Sequence, residues 1–413
     1  MKIKILKVLD FILYWSIVIF PFSMGVSNGF MNTFMAFIIA AFLLKNMLEK
    51  ECLFSETGIN IPLLALFLIT VFSVFYSAYP RDTIKGGIFR LLQYIILLFA
   101  LVKEVKNKKH IWRIIFSILA GLVFVSFDAI WQVNIGRDFV RGYAPMLLIG
   151  LTRATASFSD PNILGVYLSA LAPLILGLAL YYFKGYKRAL FGVLSLLGLA
   201  AIALTYSRPT LLATYLALLL LAIVKKSKWL IASLIVLILI APFLLPKSVK
   251  QFAKEVDYNP IRFMCNDDRI SIFRNSIQMI KASPIIGHGA NTFMKNYKKY
   301  KENPEYRNAA TSDFCYAHEN FLQIAGDVGL LGLGIFIWLL YELFKGCALI
   351  YRQLKDQELR IILLSLIACL AAFLVNGLTE SSLNSSRVAG IFWYLIGFSF
   401  AFRKLIGENA KTN

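Results

Sequence analysis

The sequence predicts an all-α polytopic membrane protein, and three observations carry that prediction. Hydrophobic residues make up 59% of the 413 residues and charged residues only 16%, with a mean hydropathy of +0.69. Apolar runs of about 18–25 residues, long enough to cross a bilayer as helices, recur along nearly the whole chain. Lys and Arg gather in alternate short loops between those runs, as the positive-inside bias requires.

The runs place about twelve spans near residues 10–27, 30–44, 60–78, 86–102, 111–132, 162–183, 188–206, 209–224, 228–245, 322–343, 359–378 and 388–403. The leader Met1 to Asp10 is basic and enters an apolar stretch with no small-residue cleavage site, so it reads as a retained first span. Basic clusters flank that leader (Lys2, Lys4, Lys7) and follow the fourth span (Lys103, Lys106, Lys108, Lys109). Others follow the sixth (Lys184, Lys187, Arg188), the eighth (Lys225, Lys226, Lys228) and the tenth (Arg352, Lys355, Arg360). These are alternate loops, which makes them cytoplasmic and both termini with them. The same bias accounts for the formal net charge of +20; no compact basic domain remains to hold nucleic acid.

Two outer segments are not short. Residues 133–161 carry Arg137, Arg141 and Arg153 and end in Asp160-Pro161-Asn162, where Asp suits a helix cap and Pro a first turn. Residues 247–317 form a long polar segment between the ninth and tenth spans. The chain thus divides into 1–246, nine spans with the first outer loop; 247–317, the long loop; and 318–413, the last three spans and a tail. Within the long loop, apolar positions at helical spacing predict a helix after Asp267 and Asp268, stopped by Pro284 and the Gly287-His288-Gly289 turn. A second short helix with Phe293, Tyr297 and Tyr300 is expected up to Pro304, both lying on the outer membrane face.

Five cysteines show no C-x-x-C spacing, which argues against a zinc or thioredoxin-type site. Cys265 and Cys315 share the long loop; a bridge between them would close about 50 residues for roughly 4 kcal/mol, and two free thiols are the alternative.

Of the three histidines, His110 lies in a basic loop and His288 between two glycines in a turn, a structural setting. His318 stands where the polar segment meets an apolar helix, and an imidazole there suits proton transfer at neutral pH. Arg208, in the short outer turn Tyr206-Ser207-Arg208-Pro209, runs against the positive-inside bias, and its guanidinium suits a phosphate. Snorkelling to headgroups is the plainer reading of such an arginine. Arg269, Arg274, Arg153 and Arg141 lie on the same side. A solvated helix face explains each alone; together they form a candidate diphosphate pocket. Arg90, Asp128 and Glu380 fall within or at the ends of expected spans, where they need partners, for which one another are candidates; a transport path would also use them. No D-x-D pair occurs, the first outer loop at Ser27-Asn28-Gly29 has no acid, and H-E-x-x-H and P-loop patterns are absent.

The stretch Ala317-His318-Glu319-Asn320-Phe321-Leu322-Gln323, the Ser207-Arg208 pair after an apolar span, and the Arg269 helix leading to Pro284-Ile285-Ile286-Gly287 resemble the O-antigen ligase and polymerase family. Phe158-Ser159-Asp160-Pro161-Asn162-Ile163-Leu164-Gly165 adds to the likeness. Glu319 between His318 and Asn320, Asp327 where a glutamate is commoner, and His288 in place of an aromatic are departures. The resemblance implies a glycosyltransferase of lipopolysaccharide synthesis in the bacterial inner membrane. It would move a glycan from an undecaprenyl diphosphate carrier to an acceptor hydroxyl on the periplasmic face. His318 would be the general base, and Arg208 would act in catalysis and, with Arg269, Arg274, Arg153 and Arg141, hold the diphosphate without metal or cofactor. Compact length and one dominant loop favour a ligase acting on lipid A-core over a polymerase. A polyprenyl-lipid or solute transporter is the reading of another class.

Overall fold

The computed structural model describes residues 2–148, 150–265, 267–301 and 315–408. The protein is an all-α polytopic membrane protein, and each of the twelve expected apolar runs falls on a helix. By length and composition the described residues contain eight helices able to cross a membrane alone. Asn60–Phe72 and Arg208–Val224 are shorter apolar helices, and the last, Ser386–Ala401, has only 16 residues. The ninth expected span, Lys228–Phe243, bends by 84° into Lys247–Glu255, so the pair turns along the site face instead of running straight.

Pro161–Tyr181 is the pillar of the bundle. Gly165 and Gly177 keep its sides narrow, and it packs against Gln357–Gly377, Gly185–Leu204 and Arg208–Val224. Asp160 caps it through Asn162 N–H at 2.7 Å, with Pro161 in the first turn, as the Asp-Pro-Asn pattern leads one to expect.

The basic loops meet at one end. Lys108 pairs with Asp356, Lys404 Nζ donates to Lys103 O at 3.0 Å, and Arg403 donates to Glu56 O at 3.0 Å. Buried Lys45 joins this end together, pairing with Asp10 at 2.6 Å and Glu104 at 2.7 Å. The opposite end carries residues 133–160, 246–301 and 378–385, and is the site face.

Three features of that face differ from expectation. The first outer segment forms an antiparallel hairpin, Met146–Leu148 with Leu151–Arg153. The long segment opens with two helices that its composition did not announce, Lys247–Glu255 and Pro260–Met264, before the expected Asp267–Ala282. After the turn come only Phe293–Asn296 and a 3-10 turn at Tyr297–Tyr300; Pro304 lies outside the described residues.

The Asn320–Gln353 helix breaks at Val328 and Gly329, and the break is a docking point. Leu330 N donates to Pro284 O at 2.8 Å and Leu331 N to Ile285 O at 3.2 Å, so the Pro284–Gly287 loop completes the broken ladder. Gly329 has φ of 71° and packs directly on Ile285, and Gly287, at φ 72°, does the same on Asp327. Asp327 Oδ1 accepts from Thr292 N at 3.0 Å and Phe293 N at 2.8 Å, tying the loop's helix to the membrane helix. His288 closes the junction through Gly326 O and Tyr300 Oη at 2.8 Å.

Candidate functional site

His318 sits one residue before the cap of the Asn320–Gln353 helix. Glu319 is that cap, its carboxylate accepting from Phe321 N and Leu322 N, which accounts for an acid beside the histidine. The backbone of His318 is left-handed, with φ of 50°, a conformation that costs a non-glycine residue on the order of 1 kcal/mol or more. Its neighbours hold it: Ala317 N donates to Gln323 Oε1 at 3.0 Å and Glu319 N to Ser381 Oγ at 3.2 Å. Ala156 and Tyr206, which adjoin Ser157 and Ser207-Arg208, are left-handed too.

The partner of His318 is Glu380. Its Oε1 lies 3.2 Å from His318 Nδ1, and its Oε2 lies 3.3 Å from Arg269 Nη2. Glu380 is therefore not inside a span: the Gln357–Gly377 helix has ended, and the chain turns at 378–384 to deliver the carboxylate to the site. Burial alone would lower the His318 imidazole, but contact with Cys315 and with Glu380 overrides it and raises the group to about 10. For Glu380, burial works upward, and His318 followed by Arg269 holds the carboxyl below its ordinary value. Both directions favour the imidazolium–carboxylate form of this pair.

His318 and Glu380 line a polar cavity of about 440 Å³ with Asp160, Asn28, Arg141 and Arg387. Arg387 was not anticipated. It is 4% exposed, stacks on Phe158 at 3.6 Å, and donates to Ser157 O at 2.7 Å and Oγ at 3.0 Å. Burial, followed by Glu380, raises the Asp160 carboxyl.

A second cavity, about 370 Å³, contains Arg153 and Arg208 among Leu148, Leu204, Leu211, Leu245 and Phe252. Arg153 Nε donates to Thr205 O at 2.8 Å and Nη2 to Asn162 Oδ1 at 2.9 Å; burial lowers its guanidinium, partly offset by Asp160. Arg208 starts the Arg208–Val224 helix, whose first turn is anchored by a polar chain. Thr210 Oγ1 reaches Ser207 Oγ at 2.9 Å and Asn376 Oδ1 at 3.1 Å, and Asn376 Nδ2 reaches Ser169 Oγ at 2.9 Å. The Arg208 guanidinium lies 4.9 Å from each of the Phe252 and Phe263 rings, and its buried Nη1 has no hydrogen-bond partner among the described residues. A buried N–H left open costs about 1–3 kcal/mol and more for a charged group.

Arg153, Arg208 and Arg269 are near enough to act electrostatically on one another, and Arg269 links them to His318 through Glu380. Arg141 stands at the wall of the His318 cavity. Arg274 does not join the group: it is exposed and lines neither cavity. The three charged residues assigned to spans have separate partners rather than one another. Asp128 accepts from Phe139 N at 2.5 Å, Arg90 Nη1 donates to Asn384 O at 3.4 Å, and Glu380 serves the site. Cys265 and Cys315 are separate thiols, so the expected bridge is not formed. The described residues contain no group of three or more His, Cys, Asp or Glu placed to hold a metal ion.

Fold and site together define a membrane protein with a cationic, histidine-bearing site at one end of its bundle. Residues 193–337 match the family model described as O-antigen ligase, which supports the O-antigen ligase and polymerase family that the motifs resemble. The matched segment contains Arg208, Arg269 and His318 and stops short of Arg153 and Glu380. No curated protein matches the chain.

Proposed function

We propose that the protein transfers a glycan from a polyprenyl diphosphate carrier to a hydroxyl of lipid A-core, as an O-antigen ligase. The observation that carries this reading is the open Nη1 of Arg208 beside Arg153 and Arg269, with Arg269 sharing Glu380 with His318. The sugar–diphosphate bond breaks with its electron pair on the diphosphate oxygen. Fixed guanidinium groups in a site poor in water stabilise that charge, often the largest catalytic term. The acceptor oxygen forms the new bond from the opposite side of the anomeric carbon, inverting it, and its proton passes to the neutral form of His318, the minority form at pH 7. Glu380 stabilises the imidazolium that results. The leucine-lined side of the Arg208 cavity suits the first isoprene units of the carrier. The basic loops at the far end make that end cytoplasmic by the positive-inside bias, and the site periplasmic.

Reconstitution tests the reading. Protein in nanodiscs receives undecaprenyl diphosphate-linked glycan with either lipid A-core or a second carrier-linked glycan, in excess EDTA. Glycosylated lipid A-core supports the ligase, and a lengthened carrier-linked glycan converts it to a polymerase. Loss of activity in EDTA with return on adding magnesium or manganese overturns the arginine account. Absence of both products under all conditions sinks the enzyme reading and leaves a transporter as the alternative.

A further inference from the structure

A third cavity lies across Asn384 from the His318 cavity, and Asn384 lines both. It measures about 150 Å³, room for a phosphate-sized group, and Arg90 is its cation. Its construction is specific. The helix that contains Arg90 begins with a π-helical stretch, Thr83–Phe89, a bulge often found at functional sites. Within it, Gly87 lets the Ala290–Asn291 turn close down on the helix, since a methyl there would stand 2.9 Å from Ala290 Cβ. Gly86 does the same against the Asn291 side chain.

The cavity offers hydrogen-bond donors that its walls do not use. Among the described residues, the Arg90 guanidinium has one long hydrogen bond, 3.4 Å to Asn384 O, out of five N–H groups. Asn384 Nδ2 is buried with no partner among the described residues. The acid that lines the same cavity is engaged elsewhere: Asp327 Oδ1 accepts from Thr292 N and Phe293 N, and Oδ2 from Gln323 Nε2 at 3.4 Å. Arg90 therefore lacks an internal carboxylate partner at this cavity, in a setting where a cation needs one.

Much of the remaining wall is hydrocarbon, with Thr70, Tyr94, Asn291 and Asp327 among it. Leu66, Leu91, Ile324 and Phe336 come from three different membrane helices, and Phe89, Leu330 and Leu331 on two of the same helices are exposed. A cation with spare donors in a cavity whose apolar wall comes from three membrane helices is matched to an anion carried on a lipid. A soluble phosphate would gain nothing from these walls.

We infer that the Arg90 cavity binds the phosphate of a lipid headgroup, and that in the transfer reaction this lipid is the acceptor. The second clause rests on the function proposed above; the first does not. Donor and acceptor would then approach from different sides, the donor diphosphate at Arg153 and Arg208 and the acceptor phosphate at Arg90. The acceptor glycan would pass over Asn384 toward His318.

The test uses the full chain in nanodiscs with a diazirine-bearing phosphatidic acid, and peptide mapping of the photolabel. Labelling at the peptides containing Leu91 and Ile324 is expected. It should fall about tenfold or more in Arg90→Met, since a charge-assisted contact is lost, fall less in Arg90→Lys, and persist in Arg208→Met. Equal labelling by the phosphate-free diacylglycerol analogue, or undiminished labelling of well-inserted Arg90→Met and Arg90→Gln, overturns the site. Competition by inorganic phosphate as effective as by lipid overturns the lipid assignment. In the transfer assay, Arg90→Met should raise the acceptor KM and leave donor binding unchanged. An unchanged acceptor KM, with labelling still dependent on Arg90, removes the acceptor role alone. Photolabelling requires no turnover, so failure of the transfer reading leaves the phosphate site independently tested.

Discussion

Replacing Glu380 with Gln removes the carboxylate 3.2 Å from His318 Nδ1 while keeping its shape. With the His318 group raised to about 10, about one imidazole in a thousand is neutral at pH 7. If the neutral form takes the acceptor proton, single-turnover transfer should climb nearly tenfold per pH unit between about pH 7 and 9 and level off near the raised value. In Glu380→Gln the opposite charge is gone, Cys315 and burial remain, and the group falls back toward its ordinary range. Its plateau should therefore begin at least about one pH unit lower. The plateau itself should be lower too, by about 10²-fold, because the imidazolium formed in transfer has lost its stabilising partner. The assay is quenched single-turnover transfer in nanodiscs with saturating donor, for wild type and variant across the same pH series. A wild-type rate that falls as pH rises through this range would make His318 a cation for the leaving diphosphate and refute its role as base. An unshifted profile in Glu380→Gln would show that the carboxylate does not govern the imidazole.

Three further outcomes follow from the geometry. Arg208→Lys should weaken donor binding by about tenfold despite keeping the charge, since an ammonium supplies neither the planar fork nor the fit between Phe252 and Phe263; Arg274→Ala, an exposed position, should match wild type in the same binding titration. His288→Ala should lower the unfolding temperature while retaining transfer per folded molecule, because His288 ties the loop to the helix break and does not line the His318 cavity; a folded but inactive variant would contradict this. Peptide mapping without reduction should find free thiols at Cys265 and Cys315, and a linked peptide would contradict it.

The apolar helices were legible in the sequence, and His318 and Arg208 stood out as candidates, because each is a local contrast, an apolar run or a polar residue at its edge. Glu380 was not, since hydropathy assigns position 378 to a span and cannot see the chain turn after Gly377. Its pairing with His318 crosses 62 positions, beyond any local signal. Arg387 could have been noticed for the reason Arg208 was, as an arginine at the end of a span opposite the basic loops. Arg274 was misplaced by counting charge without direction. Five residues along a helix turn through about 500°, so Arg269 and Arg274 stand some 140° apart, and only the face with Ser271 and Asn275 is buried. The bend after Lys228–Phe243 and the break at Gly329 arise from tertiary docking, which composition does not record.

The central claim is that His318 accepts the proton in glycosyl transfer from a diphosphate held by arginines. Its most direct test is His318→Ala, measured for donor binding and for single-turnover transfer in the same nanodiscs. Donor binding should stay within about threefold of wild type while transfer falls by about 10²–10⁴-fold. Transfer at the wild-type rate in His318→Ala would contradict the account.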